Sequence, residues 1–322
     1  MKKIWGKSMF LVVLMAFGLF GTGVAAGDYP SRTIEVIVGW GAGGGTDTFA
    51  RAIAKPASEI LGQAVPVKNM QGASGAIAGD YMTRQPADGY TLWVMGSNYA
   101  VNLALGRTPH QLSKYIPIAR IQHDTAMIHV RADSKFKTID DLIDYAKKNP
   151  TKLKMGGTGA ASFDQVVIAL WEAAAEIKVN YIPYEGSGSM QAALLGGHLD
   201  AIFEELGPVA GLVEGKQLRP LLAFSDTKIA SMPDVAIAVD KGWDVTLGNW
   251  RGVMVPAGTP QPIVDKLRAA FAKAKDDPGY KKVEAESYLN LRPGYMDSEE
   301  FRSSIEQNVE LYKKALKLGG HI

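Results

Sequence analysis

The sequence predicts an α/β protein of two lobes, each a mainly parallel sheet flanked by helices, joined by two hinge crossings. Three observations lead there. At 322 residues the chain is too long for one small core and a fair length for two. An order of strand, glycine-rich loop and helix occurs at 34–51 and again at 152–176, the repeating unit of an open sheet covered by helices. Two strand-like crossings, near 119–128 and 219–224, stand where a chain would pass between lobes and return, and two such crossings make a hinge and a cleft. The boundaries that follow are 27–123 with 223–322 for the first lobe and 124–222 for the second.

Lys2, Lys3 and Lys7 precede an apolar run from Met9 to Phe20 and the small residues Val24–Ala25–Ala26. That pattern predicts a secretory signal peptide over 1–26, cut after Ala26. The run falls short of the ~20 apolar residues that a membrane span needs. The absence of any cysteine excludes disulfides, thiolate metal sites, thiol catalysis and attachment through a lipidated cysteine. Loss of 1–26 removes three lysines, so 35 basic and 33 acidic residues become 32 and 33 and the net charge moves from +2 to −1. No Lys/Arg cluster tracks a helix face, and a nucleic-acid partner is excluded on charge.

The first lobe opens with a β-branched strand at Ile34, Val36, Ile37 and Val38, which runs into Gly39, Gly41, Gly43, Gly44 and Gly45. Thr46 and Asp47 are expected to cap a helix whose inner face carries Phe49, Ala50, Ile53, Ala54, Ala57 and Ile60. A glycine loop at a helix N-terminus leaves N–H groups and the positive end of a dipole free for an anion. Val65–Pro66–Val67 reads as a second strand, Ala76–Thr83 as a helix and Thr91–Met95 as a third strand. Gly96–Ser97–Asn98–Tyr99 is then the loop at its carboxyl end, facing the same crevice as 39–47.

In the second lobe, Thr138 and Asp141 form a capping pair for a helix over Ile139–Lys148, stopped by Asn149–Pro150. Lys152–Met155 is a strand, 156–162 a glycine-rich loop, and 163–176 a helix. Val179–Ile182 is a strand, Met190–Leu195 a helix, and Asp200–Phe203 a strand that ends at Glu204–Glu205. The chain returns through Leu218–Phe224, and Trp250–Val255 is a strand of the first lobe. Thr259–Pro260 starts a helix with Ile263, Leu267, Ala270 and Phe271 inward. Asp297 and Glu300 box the last helix, whose inward residues are Phe301, Ile305, Val309, Tyr312 and Leu316.

Chemistry-bearing motifs are few. Gly39, Gly41 and Gly44 satisfy G-x-G-x-x-G, but any five-glycine run does so, and the acid expected after the second strand is replaced by Lys68 and Asn69. No Gly-Lys-Ser/Thr follows, which excludes a P-loop, and Gly72–Ala73–Ser74–Gly75–Ala76 misses the nucleophile elbow. His110, His123, His129, His198 and His321 have no metal-ligand spacing and read as surface or loop residues. No catalytic residue, metal or cofactor is therefore expected. Candidate ligand contacts are Trp40, Ala42, Gly43, Gly44, Thr46 and Asp47, then Ser97, Asn98 and Tyr99. From the second lobe come Thr158, Gly159, Ala160, Ser162, Ser187 and Gly188.

Several short motifs together resemble the solute-binding proteins of tripartite tricarboxylate transporters, the Bug family. They are Tyr29–Pro30–Ser31, Gly44–Gly45–Thr46–Asp47, Pro86–Ala87–Asp88–Gly89–Tyr90–Thr91–Leu92, Gly156–Gly157–Thr158–Gly159, Pro183–Tyr184–Glu185–Gly186–Ser187–Gly188, Met232–Pro233–Asp234–Val235 and Val255–Pro256–Ala257–Gly258–Thr259–Pro260. The resemblance covers nearly all of the chain beyond 26. It implies a periplasmic binding protein, a type II-like clamshell or Venus flytrap. As a monomer this would close on a small organic carboxylate and deliver it to a permease of large and small transmembrane subunits. The rival classes are a ligand-presenting sensor subunit and an exported enzyme of small carboxylates.

The chain departs from the family at three places. Trp40–Gly41–Ala42 replaces prolines, Glu185 stands where a basic residue is common, and Glu204–Glu205 where an acid–amide pair is common. Glu204 joins the candidate contacts on this ground. With three acids near the cleft, the expected ligand is a monocarboxylate, or a carboxylate bearing hydroxyl or amine groups, with its apolar part against Trp40 or Tyr99. N–H groups of 42–46 and 158–162 would share the carboxylate and favour the closed state.

Overall fold

The computed structural model describes residues 29–108, 111–320 and 322. The signal peptide expected over 1–26, its cleavage after Ala26, and His110 and His321 lie outside these residues.

In chain order the elements are β1 (Glu35–Val38), α1 (Gly45–Leu61), β2 (Val67–Asn69), α2 (Ala76–Met82), β3 (Thr91–Gly96), α3 (Asn98–Ala104) and β4 (Tyr115–His123). Then follow β5 (Ala126–Arg131), α4 (Ile139–Lys148), β6 (Lys154–Thr158), α5 (Phe163–Ala175), β7 (Asn180–Tyr184), α6 (Ser187–Leu195), β8 (Ala201–Glu205) and α7 (Leu206–Glu214). β9 (Leu218–Ala223), β10 (Ala236–Ile237), β11 (Trp250–Pro256), α8 (Gln261–Ala274), α9 (Pro278–Glu286) and α10 (Ser298–Leu318) complete the chain.

Two sheets form two lobes. The first has the order β2-β1-β3-β11-β4 and the second β10-β9-β5-β8-β6-β7. β1 pairs parallel with β2 and β3, while β11 runs antiparallel between β3 and β4. In the second lobe β6 is parallel to β7 and β8, and β5 is antiparallel to β8 and β9. Each sheet is thus mainly parallel, with one strand, β11 or β5, running against all the others. A chain that leaves one sheet and later re-enters it reverses direction as it does so, and β5 and β11 are the strands that begin after each crossing.

β3, β8 and β11 are buried along their whole length, as strands covered by helices on both faces must be. One apolar core lies under α1 and α8, with Phe49, Ile53, Leu267 and Phe271. A second runs across both lobes, from Trp93 through Phe163 to Tyr312. Ile60, expected on the inner face of α1, is 42% exposed, and Leu61 is buried instead.

The outward crossing is Asp124–Thr125, between β4 and β5. The return is not at 219–224: β9 stays in the second sheet, β10 pairs with it, and the first sheet resumes only at Trp250. The stretch 223–249 thus belongs largely to the second lobe. Pairing of β9 with the two-residue β10 supplied no periodic signal that sequence reasoning could use. The two crossings touch. Asp124 donates its N–H to the Asn249 carbonyl at 2.8 Å, and a β-carbon on Gly248 would collide with the Asp124 carbonyl. Arg292 staples the hinge, donating to Thr125 Oγ1 and to the carbonyls of Thr246 and Phe224 at 2.9–3.1 Å.

α3, α7 and α9 form where no helix is expected from the residue pattern, and β2 and β6 run two to three residues later than expected. The later β6 matters most, because Gly156, Gly157 and Thr158 are strand residues and not part of a loop.

Candidate functional site

Asp47 sits in the first turn of α1 but does not cap it. The helix begins at Gly45, with side-chain-less Gly44 at the N-cap. Asp47 instead reaches back, its Oδ2 accepting the Gly43 N–H at 2.9 Å, while Arg51 and Asn69 donate to the same carboxylate at 2.9–3.0 Å. Burial by itself would raise the Asp47 carboxyl, but the Arg51, Gly43 and Asn69 donors hold it below the ordinary range. The loop is therefore folded by its own aspartate, and the first-turn N–H groups of α1, which lack intrahelical partners, stand at its mouth.

That mouth opens on a cavity of about 440 Å³ between the lobes. Trp40, Ala42, Gly43, Gly44, Gly45 and Thr46 line it from the first lobe, and Thr158, Glu185, Gly186, Ser187, Gly188, Glu204 and Glu205 from the second. α6 starts at Ser187 with Gly186 at its N-cap, so a second helix end faces the same space. Each helix N-terminus carries about half a positive charge. Two of them, one per lobe, look onto one cavity.

Arg251, the second residue of β11, is 2% exposed. Its Nη1 pairs with Asp124 Oδ2, its Nε donates to Thr46 Oγ1 at 3.1 Å, and Gln122 donates to the other Asp124 oxygen. Burial alone would lower the Arg251 guanidinium, but the Asp124 and Glu205 carboxylates keep it above its usual value. A β-carbon on Gly45 would lie 2.6 Å from Arg251 Nη2, so the guanidinium approaches the helix end closely only because that residue is glycine.

The opposite wall is acidic. Glu204 and Glu205 are 3% and 7% exposed. Glu204 Oε2 and Glu205 Oε1 accept no hydrogen bond among the described residues. Burial, then the Glu205 and Asp164 carboxylates, push Glu204 well above the ordinary carboxylate range, against a lowering by the Ser187 hydroxyl. Asp164, beneath them, accepts from Thr158 N–H and Oγ1 at 2.7 and 2.8 Å. Burial and Glu205 push it up to about 7.

Of the residues expected to contact ligand, Trp40, Ala42, Gly43, Gly44, Thr46, Asn98, Thr158, Ser187, Gly188 and Glu204 line the cavity. Asp47, Ser97, Tyr99, Gly159, Ala160 and Ser162 do not. Ser97 is fully buried and its Oγ accepts the Trp250 N–H at 3.0 Å. Tyr99 packs edge-on against Trp93 and Tyr115, in the core below. Gly159 gives its N–H to the Tyr184 carbonyl, and the Ala160 carbonyl accepts from Arg107. Ser162 caps α5, accepting the Gln165 N–H at 3.4 Å.

The α5 end expected to hold an anion is thus already satisfied. Thr158 N–H goes to Asp164, Ala161 N–H to Gln165, and Phe163 N–H to Asn98 of the other lobe. The helix end that the second lobe turns to the cavity is α6. Sequence reasoning also missed Gln71, Asn249 and Arg251, while Gly96, from the loop expected to face the crevice, does line it. For Arg251 a signal existed, since a charge inside an otherwise apolar central strand requires a buried partner. His129, expected at the surface, is fully buried on β5, and burial holds its imidazole down at about 4. Among the described residues there is no cluster of metal-ligating side chains, and no helix is long and apolar enough to cross a membrane.

Comparison with known proteins gives this geometry relatives. Residues 49–319 match the family described as the tripartite tricarboxylate transporter family receptor. A Cupriavidus necator protein named for its position in the gbd 5' region is 32% identical over 302 residues, covering 91% of this chain and 90% of its own. A TctC solute-binding protein from Polaromonas, solved without ligand, superposes with a TM-score of 0.72 at 32% identity, over 90% of this chain and 99% of that one. MatC from Rhodopseudomonas palustris with bound malate shares the fold, with a TM-score of 0.79 at 23% identity over 89% and 100% of the two chains. The extent of these matches, over a two-lobed fold with its cavity at the hinge, establishes that the chain belongs to the tripartite tricarboxylate transporter receptor family.

Proposed function

We propose that this protein is a periplasmic solute-binding subunit, not an enzyme. It captures a small organic carboxylate between its lobes and delivers it to a permease of large and small transmembrane subunits. One observation carries the reading: the N-termini of α1 and α6, on different lobes, line a single cavity of about 440 Å³. A carboxylate held by both ends gains contacts that exist only when the lobes are together, which is the differential affinity that ligand-driven closure needs. Hydrogen bonds from N–H groups to a charged acceptor contribute ~1.5–3 kcal/mol each, so a few support micromolar binding after ordering costs. Trp40 at the rim offers an apolar face to the rest of the ligand.

A thermal-shift screen of mono-, di- and tricarboxylates tests this. A ligand at a hundred times its Kd adds ~2.7 kcal/mol of stability, a shift of several degrees in Tm. At least one monocarboxylate, or hydroxy- or amino-substituted carboxylate, is expected to give it. Stabilisation by citrate alone would refute the monocarboxylate preference, and no shift with any carboxylate at millimolar concentration would refute the reading as a whole.

A further inference from the structure

We propose that the ligand's carboxylate is accompanied by a protonated amine, and that Glu204 and Glu205 bind this ammonium group from the second lobe. The inference deepens the carboxylate reading and rests on it.

Both side chains are more than nine-tenths buried, both line the cavity, and each keeps one carboxylate oxygen without a donor among the described residues. Buried polar atoms are satisfied in the great majority of cases, so two orphaned oxygens on one wall point to a donor brought in from outside. Among the described residues no donor reaches either oxygen. Arg251 is the only Lys or Arg among the described residues lining the cavity, and it is committed to Asp124 and Thr46. Glu185 adds a third carboxylate to the same wall.

The ligand's chemistry follows from this arrangement. An ammonium carries three N–H donors and a full positive charge, enough to serve both orphaned oxygens and offset the acidic wall. A hydroxyl offers one donor and no charge. A second carboxylate at that wall would meet like charge. The α1 N-terminus faces the cavity from the first lobe, and the second lobe presents the α6 N-terminus with the carboxylates of Glu185, Glu204 and Glu205 beside it, an arrangement that takes both charges of a short zwitterionic amino acid.

Isothermal titration calorimetry with matched triplets tests the assignment: alanine, lactate and propionate, then aspartate, malate and succinate, with ethylamine as an amine lacking a carboxylate. In at least one triplet the amino member is expected to bind about 10-fold tighter or better than its hydroxy and unsubstituted counterparts. Glu205→Gln and Glu204→Gln should each erase that preference, bringing the affinity of the amino member and that of its unsubstituted counterpart together. Equal affinity across every triplet would overturn the proposal, as would variants that weaken all members alike. Ethylamine binding as tightly as the amino acids would instead overturn the carboxylate reading and leave the acid pair standing, and no binding by any member would overturn both.

Discussion

The side-chain carbonyl of Asn98, in the first lobe, accepts the backbone N–H of Phe163, the first residue of α5 in the second lobe, at 2.9 Å. One lobe therefore caps a helix of the other, at the edge of the cavity that Asn98 also lines. This bond, with the Arg107 contacts to the carbonyls of Ala160 and Ala161, exists only while the lobes are together.

Asn98→Ala should remove the cross-lobe acceptor and cost ~1 kcal/mol of the closed arrangement. Small-angle scattering of the ligand-free variant is expected to give a larger radius of gyration than the parent, and Asn98→Asp, which keeps an acceptor, should not. Superimposable profiles for parent and Asn98→Ala would contradict it.

Arg251→Ala leaves Asp124 buried beside Gln122 with no cation. Breaking a buried pair from one side costs ~3–5 kcal/mol, and urea denaturation should report a loss of that size. Arg251→Met combined with Asp124→Leu removes both charges and should recover more than half of it. A single variant as stable as the parent would show that the pair carries no such weight.

Gly45→Ala places a methyl where Arg251 Nη2 now lies, 2.6 Å from the new carbon. Alanine suits a first helical turn, but the clash falls on the guanidinium of the buried Arg251–Asp124 pair, so Tm should fall by several degrees. The displaced guanidinium should also weaken carboxylate affinity ~10-fold, measured by calorimetry at a temperature where the variant is folded. Unchanged affinity would remove Arg251 and the α1 end from the anion site.

Asp164 binds its proton up to about pH 7 in the folded chain, against an ordinary value of 3.8. The folded state then holds more protons than the unfolded one over that interval, so this group's contribution is present below about pH 4 and is lost as pH rises through about 7. Asp164→Asn keeps an oxygen for Thr158 and cannot ionise. Its Tm relative to the parent should rise between pH 5 and pH 8 in calorimetric scans, and a constant difference would contradict the shift.

Much of the architecture was legible residue by residue. The helix at Ile139–Lys148 with its Thr138–Asp141 box, and the box at Asp297–Glu300, are fixed by bonds within four residues of one another. The glycine loop before α1 is equally local. It is followed by a buried aspartate whose partners, Gly43, Arg51 and Asn69, lie within 22 positions.

What the chain's order could not reveal are choices made between distant segments. Whether β9 leads back to the first lobe depends on its pairing with β5 and β10, not on its composition. Whether α5 or α6 turns a free end to the cavity depends on Asn98, 65 positions from its partner, having already capped α5. Ser162 and Ser187 look alike as small polar residues at helix starts, and only packing makes one a cap in the core and the other part of the cavity wall. Periodicity and capping are short-range effects, written into consecutive residues. The site is made of long-range ones, in which each buried donor or acceptor takes whichever partner the closed fold brings within reach.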